Sequence, residues 1–133
     1  MIEKRVVLGN RILGVRCSDK CNVKVYNSFF KMVDNFSHEL EKLMDECGIP
    51  EEVMVNFREG RGKLSGFYYL YDDIVSGNVV VMDIYTKPLL KLKGRELDRE
   101  LLDTFVHEII HHSVKSERKT NERVKEFMEG LDL

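Results

Sequence analysis

The chain has 133 residues, and 21 Lys and Arg stand against 23 Asp and Glu, for a net charge of −2. That length favours a single domain, 1–133, with one core of ordinary size, and the near-balance of charge argues against a nucleic-acid binder, which carries a basic excess. With 43% hydrophobic residues and two prolines the chain is composed like a folded protein. No apolar run approaches the ~20 residues of a membrane span. No apolar leader is visible at the N-terminus, and three cysteines do not make a secreted disulfide framework, so the expected location is cytoplasmic.

In chain order, residues 5–15 read as two short apolar strands around Gly9-Asn10, a pair suited to a tight hairpin turn. Residues 1–24 are therefore expected to form a hairpin extension ahead of a core over 25–130. Cys17-Ser-Asp-Lys-Cys21 follows as a loop. Tyr26, Phe29, Phe30, Val33, Phe36, Leu40, Leu43, Met44 and Cys47 recur at spacings of three and four, one face of a single long helix. Gly48 and Pro50 end it. Three strands come next: Glu52 to Phe57, then Leu64 to Tyr71 after a turn at Gly60-Arg61-Gly62, then the β-branched run Val79 to Tyr85 after Ser76-Gly77-Asn78. Helices are expected over about 96–114 and 120–130. Helix, three strands, helix, helix is an α+β pattern.

The penultimate helix contains His107-Glu108-Ile109-Ile110-His111, a match to H-E-x-x-H. Residues four apart stack on one helix face, so both imidazoles can reach one metal ion. Glu108 stands between them, where a carboxylate can take the proton of a metal-bound water. At 100° per residue His111 lies about 40° from His107, while Leu102, Phe105, Val106, Ile109 and Ile110 gather on the opposite side. The histidines share a face outside the core stripe, as a cleft would require. His112 points about 100° from His111 and is read as a bystander.

A catalytic zinc site needs a third protein ligand. Glu117 stands ten residues after His107, the metzincin spacing H-E-x-x-H-x-x-G-x-x-H, but Val114 occupies the position of the turn glycine, which argues against it. Glu122 opens Glu122-Arg-Val-Lys-Glu126 on the last helix, away from its apolar stripe of Val124, Phe127, Met128 and Leu131.

The HEIIH helix, the following glutamate helix and the order of elements over roughly 25–130 resemble the gluzincin clan of zinc peptidases, and specifically the small soluble minigluzincins. The resemblance implies a zincin-like fold, with a small three-stranded sheet packed on a long helix. It implies zinc held by His107, His111 and Glu122, with Glu108 as general base and Glu126 behind the ligands as an orienting acid. The expected activity is hydrolysis of peptide bonds in peptides or unstructured proteins, with Val79 to Tyr85 as the sheet edge that receives an extended substrate. The alternative is a non-catalytic or proenzyme-like zinc module in which a further ligand fills the open metal position. Cys17 or Cys21 is the candidate for that ligand; otherwise the hairpin packs on the sheet, with the cysteines free or paired. A metal-dependent endoribonuclease would call for a histidine where Glu117 stands.

Overall fold

The computed structural model describes residues 2–18, 21–60, 66–73 and 77–131, with backbone alone over 66–78 where described. In chain order the elements are β1 (Ile2–Leu8), β2 (Arg11–Cys17), α1 (Val23–Asn35), α2 (Ser37–Cys47), β3 (Glu52–Arg58), β4 (Gly66–Asp73), β5 (Gly77–Tyr85), a 3-10 turn (Lys87–Leu89), α3 (Arg95–His111) and α4 (Glu117–Glu129). The fold is α+β, as the pattern of elements requires.

The strands form one mixed sheet in the order β1-β2-β3-β5-β4. The expected hairpin extension is part of this sheet. β1 and β2 pair antiparallel, and β2 continues parallel to β3 with Gly14 opposite Met54. Its residues explain the integration: Leu8, Leu13, Val15 and Cys17 alternate onto the same buried face as Val53, Val55 and Phe57. A free-standing hairpin would leave that row in water. Arg11 then ties the turn to the end of α2, donating from Nε to the Ile49 carbonyl (3.0 Å) and from Nη1 to Asp45 Oδ1 (2.6 Å).

The expected turn between β3 and β4 is also corrected. β3 pairs parallel with β5, and β4 pairs antiparallel on the far side of β5. Beyond Arg58 the chain stays beside β5: Thr86 N donates to the Arg58 carbonyl (2.8 Å) and Lys87 N to that of Glu59 (3.0 Å). Gly60 follows with φ +78°, and any Cβ there would meet the Cβ of Tyr85 at 2.6 Å, so only glycine passes. Arg61 and Gly62, the rest of that turn, lie outside the described residues, as does Ser76 of the turn before β5. Val79 to Tyr85 is therefore an interior strand rather than an edge. Its composition agrees, since Val80, Met82 and Ile84 face the core while Val79 and Val81 on the other side are buried too, as a strand paired on both sides demands.

The single long helix is two helices. Phe36 leaves helical geometry (φ −118°, ψ 25°) between α1 and α2. Its neighbours Asn35 and Ser37 are poor helix formers, because their side chains compete for the backbone. The bonds Phe36 N to Met32 O (3.1 Å) and Leu40 N to Phe36 O (2.9 Å) carry across the bend, which is why the apolar period runs on unbroken. Gly48 ends α2 in the left-handed conformation (φ 67°). The helices supply Phe29, Leu40, Met44, Leu101, Leu102 and Phe105 to the core, all fully buried. Among the described residues no helix is long and apolar enough to cross a membrane.

Candidate metal centre

The core stripe of α3 fixes the rotation of the helix. Leu97, Leu101, Leu102, Phe105, Val106, Ile109 and Ile110 are buried, and this leaves His107 and His111 on the rim with side chains 21% exposed. Their rings meet edge to face, centroids 4.7 Å apart. The two imidazoles are thus placed by hydrophobic packing, on an element that cannot rotate without opening the core.

The acid that meets them is Glu117. Its Oε1 lies 3.0 Å from His107 Nε2 and its Oε2 lies 2.8 Å from His111 Nε2. One donor atom from each of the three residues falls within 4.8 Å of the others. Glu122 is elsewhere: its side chain is 61% exposed and accepts from Arg118 Nε at 3.4 Å, one turn back on the same helix. The structure therefore brings Glu117 to the two histidines, and not Glu122, the acid expected from the sequence. The reason lies in where α4 begins. Ser116 caps it, accepting from Lys119 N (3.4 Å), so the helix opens a turn earlier than its apolar stripe suggests and Glu117 becomes its first residue. A carboxylate at a helix N-terminus is also favoured by the helix dipole.

Val114 does not forbid this arrangement. No non-glycine residue described has positive φ, so the turn from His112 to Ser116 needs no glycine. The turn is held instead by Thr120, which is fully buried; its Oγ1 lies 2.8 Å from the Ser116 carbonyl and 3.1 Å from that of Val114. The Val114 carbonyl also accepts from His111 Nδ1 (3.2 Å). Glu126, expected behind the ligands, lines a groove of about 330 Å³ between α2 and α4, with His38, Lys42, Leu43 and Phe127. Sequence reasoning missed both Ser116 and Thr120; the signals were a capping serine and one hydroxyl among charged residues. His112 is not idle: its ring is hydrogen-bonded to the Gly48 backbone, and burial lowers its pKa.

Glu108 is buried, 6% exposed. Burial pushes its carboxyl up to about 7; His111 opposes the rise and Glu117 adds to it. A carboxyl poised near neutrality suits a general base. Tyr85, at the end of β5, has its phenol pKa raised, first by burial, then by Asp83 against the opposing Arg58, and also by Glu108. Asp103, one turn before His107, has its pKa raised by burial, with His107 and then Arg99 pulling it back.

Two imidazole nitrogens and one carboxylate oxygen fit zinc, which takes three protein ligands at catalytic sites and leaves one position open. Cys17 and Cys21 are not among the three. They are joined in a disulfide, Cα atoms 5.7 Å apart, where β2 leads into α1. Comparison of the chain with protein-family models, with characterised proteins and with solved structures gives no match.

Proposed function

We propose that the protein is a zinc-dependent metallohydrolase that cleaves peptide bonds, with His107, His111 and Glu117 as metal ligands and Glu108 as general base. The single observation that carries the reading is the convergence of three donor atoms within 4.8 Å beside a buried carboxyl. Bound zinc supplies a Lewis acid that acidifies water and polarises a carbonyl. Glu108 takes the proton of the attacking water and returns it to the leaving amine. Its burial keeps it aimed and desolvated, and its raised pKa suits both directions of transfer. The gluzincin-like ligand chemistry of two histidines and a glutamate is retained, with the glutamate taken from the first turn of α4.

The substrate is an extended peptide. Among the described residues β4 closes the sheet on this side and pairs only with β5, and α3 packs against β4. A free backbone edge bordering the ligand helix can receive a peptide by strand addition, which fixes main chain without demanding sequence. The alternative, a closed zinc module, calls for a fourth ligand, and among the described residues the cluster has three.

The test is metal analysis of purified protein, followed by incubation of the zinc form with an unfolded protein such as casein. Stoichiometric zinc and chelator-sensitive cleavage are expected. Tight zinc without cleavage would favour the closed module; zinc content no higher than in a His107→Ala, His111→Ala double variant would overturn the reading.

A further inference from the structure

The ligand His111 must present one particular nitrogen, and the structure contains a device that selects it. Its Nδ1 has two neighbours: the Val114 carbonyl at 3.2 Å and Thr120 Oγ1 at 3.5 Å. A carbonyl can only accept. The Thr120 hydroxyl has one proton, and that proton is drawn to the carbonyls of Ser116 and Val114, at 2.8 and 3.1 Å, so its lone pair is what faces the ring. Both neighbours therefore ask Nδ1 to carry hydrogen. Nε2 faces the Glu117 carboxylate at 2.8 Å, so a bound cation would take the place of the hydrogen between those two atoms and leave Nδ1–H on the turn carbonyl.

We propose that Thr120 is a positioning residue for the metal centre: with the 112–116 turn it clamps His111 in the Nδ1–H form and aims Nε2 at the ligand position. Metal-binding histidines commonly have this done by a carboxylate, the task assigned to Glu126 from sequence. Here a backbone carbonyl does it, and Thr120 fixes where that carbonyl points. The placement of Thr120 is otherwise hard to account for. It is the one fully buried hydroxyl on a helix whose other buried side chains are Val124 and Met128, and valine would fill the same volume. The inference rests on the metal-binding reading above.

Zinc affinity measured by chelator competition separates the two. Thr120→Val, which keeps shape and loses the hydroxyl, should bind zinc about 10–100-fold more weakly; Thr120→Ser should restore wild-type affinity. Nitrogen-15 shifts of the zinc-loaded wild type should show His111 protonated at Nδ1. Equal affinity in wild type and a folded Thr120→Val overturns the role of Thr120 and leaves the metal site standing. If that variant does not fold, the shifts decide, and an Nε2–H tautomer overturns the clamp. A wild type without zinc affinity removes both readings together.

Discussion

α3 and α4 contribute to the same cluster in opposite ways. α3 is gripped by the core through seven apolar residues, and its two imidazoles are rim groups on a fixed frame. α4 buries only Thr120, Val124 and Met128, and it reaches the histidines through the first residue of its first turn. The frame decides where a metal can sit, while the attachment of α4 decides how well it is held. Ligands at i and i+4 on a packed helix survive changes elsewhere in the chain. A ligand delivered by a capped turn depends on Ser116, Val114 and Thr120 all keeping their places.

Substitutions on the two helices sharpen that contrast. The largest effect is expected at Glu108: glutamine there should leave zinc content unchanged and reduce peptide hydrolysis about 10²–10⁴-fold, the usual contribution of a general base. Zinc loss in a folded E108Q protein would mean that the residue is a ligand. Next is the frame itself. Phe105 is fully buried and packs edge to face on Phe29 at 5.1 Å, so Phe105→Ala should lower stability by about 3–5 kcal/mol in denaturant titration. Val124→Ala on α4 should lower it by far less.

The pH dependence of the metal-free protein is a third test. Glu108 has a folded pKa near 7 against about 4.3 for a free glutamate. The native state therefore holds a proton that the unfolded chain has released, and stability falls as pH rises from about 4.5 to 7, by roughly 3 kcal/mol. Glu108→Gln should flatten that slope in thermal melts at a series of pH values; an equal slope in the variant would place its origin elsewhere. The last test contrasts two acids of α4. Glu117→Ala should weaken zinc at least ~100-fold, beyond the range typical of groups behind the ligands, and Glu122→Ala should leave affinity within about twofold. Reversed results in chelator competition would move the ligand back to Glu122.

How much of this was legible in the sequence follows the same division. The H-E-x-x-H face of α3 could be read because Leu102, Phe105, Val106, Ile109 and Ile110 set its phase, and the structure keeps both histidines off the core. The last helix has a short stripe, so its phase was readable but its start was not, and nothing showed that Glu117 would open it; Glu122 followed from the gluzincin resemblance. The missing glycine at Val114 misled because one turn geometry was assumed; a turn closed by a side-chain hydroxyl satisfies the same carbonyls without positive φ. In the sheet, apolar and β-branched runs marked the strands approximately, but gave neither their order nor the union of hairpin and core strands in one five-stranded sheet. Leu13, Val15 and Cys17 mark a buried face, yet nothing local says that it will align with Val53, Val55 and Phe57. The burial of Glu108 was invisible too, since its angular position alone does not reveal what packs over it.

The parallel pairing of β2 with β3 has a consequence for the birth of the chain. The β1–β2 hairpin can close as soon as it is made, but its other neighbour begins at Glu52, roughly 35 residues after Cys17. At a synthesis rate of about 5–20 residues per second, a nascent hairpin waits a few seconds with an unsatisfied strand edge. Such edges recruit other chains unless charge discourages them. Glu3, Lys4 and Arg5 on β1 and Arg11 and Arg16 on β2 put like and unlike charges along this waiting ribbon.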